Sequence, residues 1–399
     1  MSHADVLTPA REIEARIQRL RSRLREEGVD GALLVQNVDL FYFSGTLQQA
    51  HLYVPLEGPP LLLVRKSLER ARTESPLERI QAISSPRELP DLLTENGLPL
   101  PEVLGLEMDV LPANLYLAYT RIFPAARTVD VSPAIRTVRA VKSPFEIERI
   151  RHAARMADEV AASLSTHIRP GMTEVELAGL VEAEARRRGH QGIVRMRMWG
   201  GEMFYGHLMA GSPAAEPSYL ASPTGGAGLS PAVAQGAGFA HLRPEEPILL
   251  DYVFAWNGYI ADHTRIFAIG GLPGDLVEAH GAMLAVQEAV KKAGRPGVPA
   301  GDLYALAVDT AGKLGYGEWF MGTAERRIRF VGHGVGLELD EYPFLAEGQR
   351  MPLEAGMVVA LEPKLVIPGR GVVGIENTHL VTENGFEQLT GFDEAVQIL

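Results

Sequence analysis

The sequence predicts an α/β domain at the N-terminus, followed by a larger domain of long helices and β-hairpins. Three observations carry this prediction. The 399 residues are the length of two ordinary domains. Short apolar strand runs alternate with helical stretches up to about residue 138. Beyond that point, two strand texts each fold back at a turn and each hold two acids.

The elements follow in order. Residues 11–28 form an amphipathic helix, since Ile13, Ile17, Leu20 and Leu24 recur at helical spacing among Arg and Glu. GALLVQ follows Gly28 as a strand, and LLLVRKS (61–67) and the text near VLGLEM supply further strands alternating with helices. At TVRAVKSPFEIERIRHAARM, Ser143 is an N-cap and Pro144 a first-turn residue, with Glu146 and Glu148 near the positive end of the helix dipole. The boundary is therefore set near 138, giving domains 1–138 and 139–399. Thr173 caps a second helix that carries Leu177, Leu180 and Val181 and stops at Gly189. Helices are expected over 144–167, 173–188, 275–293 and 300–314. Residues 221–238, rich in Gly, Ala, Ser and Pro, read equally as a linker or as an ordered loop.

Composition narrows the function. A net charge of −12 argues against a nucleic-acid partner, which a basic face would attract. The absence of cysteine excludes disulfides and thiolate ligands, so any metal rests on oxygen and imidazole. The N-terminal text is charged, with no apolar core of a signal peptide, and no apolar run approaches the roughly 20 residues that span a bilayer. A cytoplasmic enzyme without a membrane partner is expected.

Chemistry concentrates in three places. GHGVGLELDEYP sets His333 between two glycines. ILLDYVFAWNGYIADHTRIFAIG holds Asp251 and Asp262 around a WNG turn, and MVVALEPKLVIPGRGVVGIENTHLV holds Glu362 and Glu376 around PGRG. Both of the latter read as hairpins that present two carboxylates to one side. A single buried Asp in a strand is usually a satisfied structural residue. Four gathered carboxylates repel one another, however, and two divalent ions would neutralise them.

The order Asp251, Asp262, His333, Glu362, Glu376, in the texts YIADHTRIF, GHGVGLE, LEPKL and GIEN, resembles the methionine aminopeptidase–prolidase–creatinase family. EARIQRLRSRLREEGVDGALLVQNVDLFYFSGT is similar to its creatinase-like N-terminal domain, and RAVKSPFEIERIRHAA to the entry into its catalytic domain. The resemblance, closest to the Xaa-Pro aminopeptidase and prolidase branch, implies an α+β "pita-bread" catalytic domain with an internal pseudo-twofold. It implies that Asp251 chelates one ion, that Asp262 and Glu376 bridge two, and that His333 and Glu362 hold the other. Glu362 would also accept a proton. Mn, Co, Fe or Zn would suit the donors, and a homodimer is expected.

The substrate shell departs from that pattern. Asp340 stands where Xaa-Pro peptidases carry a histidine in H-E-x-P, and a carboxylate donates to an oxyanion only when protonated. Ser218 replaces a second histidine, Gly374 an arginine, and Asn377 an aspartate. His207 is a candidate replacement proton donor, against the plainer reading of a structural histidine. Arg195 and Arg197 are candidates for an anionic substrate group, or else arginines of a surface strand. His263 is expected on the opposite face from Asp262. Three readings stay open: an Xaa-Pro peptidase with an altered shell, a metalloenzyme acting on a small non-peptide substrate, and a binding module. Intact ligands weigh against the last. Segment 221–238 is expected to form an ordered lid at the pocket rim.

Overall fold

The structure, a computed structural model, describes residues 7–203, 205–323 and 326–399. The opening MSHADV of the N-terminal text lies outside them. The chain divides between Arg139 and Ala140 into two compact units.

In the first unit, the helix Ala10–Glu26 buries Ile13, Ile17, Leu20 and Leu24, the stripe that its spacing dictates. Strands β1 (Gly31–Leu34), β2 (Ala50–Pro55), β3 (Leu61–Val64), β4 (Arg79–Ala82), β5 (Val103–Leu106) and β6 (Arg127–Asp130) form one sheet ordered β4-β3-β2-β1-β5-β6. The pairs β1–β2 and β2–β3 are antiparallel and the others parallel. GALL and LLLV are buried at every position, as in strands covered on both faces.

In the second unit, the helices Pro144–Leu164 and Glu174–Arg187 both start on complete capping boxes, Ser143 with Glu146 and Thr173 with Glu176. Each cap contributes about 1 kcal/mol. The first helix stops short of the expected residue 167 because Thr166 and His167 donate to Ser163 O and Leu164 O, tightening the last turn. Two more helices, Gly274–Ala293 and Ala300–Lys313, pack on a core that includes Met283, Val286, Leu303 and Leu361.

The strands of this unit are β7 (Gly206–Ala210), β8 (Ile248–Trp256), β9 (Tyr259–Ala268), β10 (Phe330–Gly334), β11 (Glu341–Ala346), β12 (Val358–Leu361), β13 (Lys364–Ile367), β14 (Gly371–Gly374), β15 (Asn377–Thr382), β16 (Gly385–Gln388) and β17 (Gln397–Ile398). They form three sheets, ordered β17-β9-β8-β7, β11-β10-β12-β15-β16 and β13-β14. The expected hairpin of β8 and β9 forms. Asn257 and Gly258 take the positive φ angles, 50° and 89°, that a two-residue turn of this hand requires. Pairing of Asp251 with Thr264 and of Val253 with Asp262 places both aspartates on one face, two rungs apart.

The second two-acid text is not one hairpin. It splits into two ladders, β12 with β15 and β13 with β14. The first ladder ends at Leu361 opposite Asn377, and the second begins at Lys364 opposite Gly374. Pro363 has no N–H to extend the first ladder, and its carbonyl accepts the Ile375 N–H at 3.2 Å. Glu362 and Glu376 leave the chain in the gap between ladders. Thr264 N–H donates to Glu376 O at 3.2 Å, and the Thr378 hydroxyl accepts from Asp262 N–H at 2.9 Å. These bonds hold β9 against β15 and bring all four carboxylates together.

Candidate metal centre

Asp262, His333 and Glu376 each offer one donor atom, and the three atoms lie within 4.8 Å of one another. Among the described residues they are the group of three that converges in this way. His333 comes from β10, held between β11 and β12. Its flanking glycines are required sterically. A Cβ at Gly332 would meet Ala360 O at 2.5 Å, and one at Gly334 would collide with Tyr342 O. His333 Nδ1 lies 3.1 Å from Leu339 O and 3.2 Å from Gly334 O, so Nδ1 carries the proton and donates. Nε2 keeps its lone pair toward Glu362 Oε1 at 3.6 Å and Glu376 Oε1 at 3.8 Å. This is the tautomer a metal-binding histidine uses.

The electrostatics call for a cation. At 4 Å, two carboxylates repel by about 4 kcal/mol even in an effective dielectric of 20. Burial, then the charges of Glu376 and Asp251, push the Asp262 carboxyl well above the usual range. Burial, with Glu362 and Asp251, does the same to Glu376 against the opposing pull of Lys364. Burial opposes a charge on His333, but Asp340, Glu362 and Asp262 outweigh it and raise the imidazole. Asp262 Oδ1 is buried without a hydrogen-bond partner. An orphaned carboxylate oxygen, two more carboxylates and an imidazole lone pair fit a divalent ion of borderline softness.

Sequence reasoning misses the residue at the middle of this cluster. Lys364, 1% exposed at its side chain, donates from Nζ to Glu376 Oε2 at 2.7 Å, Glu362 Oε2 at 2.8 Å and Asp251 Oδ2 at 3.3 Å. Burial opposes its charge, but Asp251, Glu362 and Glu376 together raise the ammonium well above its ordinary value. The signal was present in LEPKL, where residues two apart in extended text share a face.

Asp251 faces the same cavity from β8. Burial works against its charge, yet Lys364, His207 and the Thr224 hydroxyl hold the carboxyl below the usual range, at about 2. Thr264 Oγ1 lies 3.0 Å from Asp251 Oδ1 and 2.9 Å from Glu376 Oε2. His207 also lines the cavity, but it is not placed as a free proton donor. Gln235 Nε2 donates to Glu202 O, so its Oε1 faces His207 Nε2 at 3.0 Å and accepts from it. His207 Nδ1 meets Thr224 Oγ1 at 2.9 Å, and that hydroxyl reaches Asp251 Oδ2 at 2.9 Å. Both ring nitrogens are engaged, and the ring braces Asp251 through Thr224.

The remaining candidates divide. Asp340 lines the cavity, with Oδ1 3.6 Å from His333 Nδ1. Ser218 does not line it: its hydroxyl accepts the Leu220 N–H at 3.2 Å within a turn. Arg195 and Arg197 lie outside the lining, and the Arg197 guanidinium sits 3.8 Å from buried Glu338. His263 points away, with Nδ1 3.2 Å from Tyr252 O. Asn377 Nδ2 donates to Gln287 Oε1 and Glu394 Oε1, bonds an aspartate could not make. A Cβ at Gly374 would meet Lys364 Cα at 2.7 Å and Cγ at 3.0 Å, so bare backbone there makes room for the lysine. In segment 221–238, Ala221, Ser222 and Thr224 wall the cavity, while Leu229 and Val233 face a neighbouring hollow beside Val175 and Tyr252. Gly236 N–H donates to Gly225 O at 2.7 Å and Gly226 N–H to Glu216 O at 2.8 Å, so the segment is an ordered loop that contributes to the cavity wall.

Residues 148–383 match metallopeptidase family M24, and residues 16–141 match the creatinase/prolidase N-terminal domain. The chain is 31% identical to an Xaa-Pro dipeptidase of Lactobacillus helveticus over 296 residues, 74% of this chain and 72% of that one. It is 27% identical to the Xaa-Pro dipeptidase of Pyrococcus furiosus over 382 residues, 95% of this chain and 98% of that one. The solved structure of an Xaa-Pro dipeptidase from Bacillus anthracis superposes with a TM-score of 0.83 at 26% identity, covering 97% of this chain and 100% of that chain.

Proposed function

The chain belongs to metallopeptidase family M24, and from that premise we propose that it is a metal-dependent peptidase of the Xaa-Pro dipeptidase or aminopeptidase kind with an altered substrate shell. The observation that carries this reading is the convergence of Asp262, His333 and Glu376 on a cavity that Glu362 also lines. The names of the relatives at 27% and 31% identity support the proline preference. The creatinase-like domain would be residues 1–138 and the catalytic domain 139–399. Manganese, cobalt, iron or zinc would suit an oxygen-rich donor set with one imidazole. A homodimer and a cytoplasmic location complete the proposal. Among the described residues, no helix is long and apolar enough to cross a membrane.

In this reading Asp262, His333, Glu376 and Glu362 would hold divalent metal, with Asp251 facing the same cavity. When bound, it supplies Lewis-acid polarisation of the scissile carbonyl and activation of water. Glu362 is the proton acceptor: Lys364 fixes its Oε2, leaving Oε1 toward His333 and the cavity. Thr224 and His207 fix Asp251, which with Glu362 and Glu376 fixes Lys364. Asp340 puts a carboxylate on the cavity wall. Such a group cannot serve an oxyanion as an imidazole would, but it suits the ammonium of a free peptide N-terminus.

The test is a panel assay of protein reconstituted with Mn²⁺, Co²⁺ or Zn²⁺. Xaa-Pro dipeptides with a free amine should be cleaved, and their N-acetyl forms at least about 10-fold more slowly, the worth of one charge-assisted contact. Turnover of a small amide or a sulfonium compound with no peptide cleaved would move the assignment to the non-peptide reading.

A further inference from the structure

We propose that Lys364 stands in place of one of the two expected divalent ions, so that the centre holds a single ion on Asp262, His333 and Glu376, with Glu362 at its edge. The inference rests on the metallopeptidase reading above and concerns how many ions that site takes. An ammonium has three N–H donors, and all three are spent: Nζ lies 2.7 Å from Glu376, 2.8 Å from Glu362 and 3.3 Å from Asp251. A divalent transition ion binding those same oxygens would sit about 2.0–2.2 Å from each. The ammonium already stands among those oxygens.

The lysine is buried and its backbone is fixed. Its side chain is 1% exposed. Its backbone is fixed opposite Gly374 in the β13–β14 ladder, and its carbonyl accepts the Met321 N–H at 2.9 Å. Gly374 is fitted to it, since any side chain there would strike the Lys364 stem. Charge alone does not choose between one ion and two. Four carboxylates and one ammonium leave a net of −3 with a neutral His333, so one divalent ion brings it to −1 and a second to +1. Space decides. Asp262 Oδ1 is fully buried without a hydrogen-bond partner, and Asp262 is the carboxylate of the four that Lys364 does not bond, while a donor atom of Asp262 lies within 4.8 Å of one from His333 and one from Glu376.

Asp251 then changes role. It holds Lys364 rather than an ion, with the Thr224–His207 brace behind it.

The full-length protein is stripped, loaded with Mn²⁺ and dialysed, and metal per chain is measured together with the electron paramagnetic resonance spectrum. One ion per chain with the signal of an isolated Mn²⁺ is expected. Lys364→Met, which keeps the stem and removes the charge, should take up a second ion and show a coupled signal. Asp251→Asn should weaken Mn²⁺ binding by about 10- to 100-fold, as a supporting residue does, and Asp262→Asn, which removes a ligand, by more than about 100-fold. Two ions in the wild-type chain would overturn the inference while leaving the metallopeptidase reading in place; no ion with any metal tried would overturn both. A folded Lys364→Met chain that still takes one ion would also overturn it. If that variant does not fold, the wild-type count and the contrast between Asp251→Asn and Asp262→Asn decide.

Discussion

His333 donates its Nδ1 proton to Leu339 O, and that backbone contact settles which nitrogen faces the carboxylates. Protons compete for the residues of this site: Asp262 and Glu376 are raised chiefly by burial, and His333 is raised by its acidic neighbours against burial. An incoming ion must displace those protons, so acid competes with metal and affinity rises with pH. Calorimetric titration with Mn²⁺ should give tighter binding at about pH 8 than at about pH 6, with protons released on binding. A pH-independent affinity would contradict this. At this scale the sequence was most legible where chemistry needs a fixed residue type. Asp251, Asp262, His333, Glu362, Glu376 and Asp340 all face one cavity. Ser218 and His207 were less legible because a turn and a neighbouring amide, neither visible as a pattern, decide where those side chains spend their hydrogen bonds. Lys364 was readable from its spacing to Glu362, but a lysine near a turn more often ends in solvent.

The crossover between β12 and β13 shows what element-level reading captures and what it does not. Both stretches are apolar and extended, so alternation alone joins them into one hairpin. Pro363 was the available sign of a break, because proline cannot sit within a central ladder. The opposed crossover at Ile375 and Glu376 depends on Gly374, where a Cβ would lie 2.6 Å from Pro363 O. Gly374→Ala should therefore destabilise the chain by about 1–3 kcal/mol, the usual result of overpacking, and weaken metal binding with it. Denaturant melts with an unchanged midpoint would exclude that tight fit. On β15, burial and the charge of Lys291 lower His379 to about 3. An imidazole neutral in the fold but free to protonate when unfolded supports stability above pH 6.5 and loses it progressively as pH falls toward 3. Compared with wild type, His379→Phe should therefore gain about 2 kcal/mol in relative stability between pH 7 and pH 5. A difference that stays constant over that range would mean the ring is not held neutral.

At the scale of the molecule, βα alternation and the cap sequences marked out the elements, because each depends on residues close in the chain. The meeting of β9 with β15 was not legible, since it rests on Thr264 and Thr378 bonding across more than a hundred residues. An ion bound at that meeting would be part of the fold. An ion bound only by the native chain should add about 2.7 kcal/mol at 100 times its dissociation constant, raising the melting temperature of wild type but not of Asp262→Asn. A single buried ion beside Lys364 should be enough to support peptide cleavage. Stripped protein should be titrated with Mn²⁺ while hydrolysis of an Xaa-Pro dipeptide is followed against bound metal. Activity should be absent without metal, rise in proportion to occupancy and level off at one ion per chain. Activity in the stripped protein, or activity that appears only as a second ion binds, would contradict it.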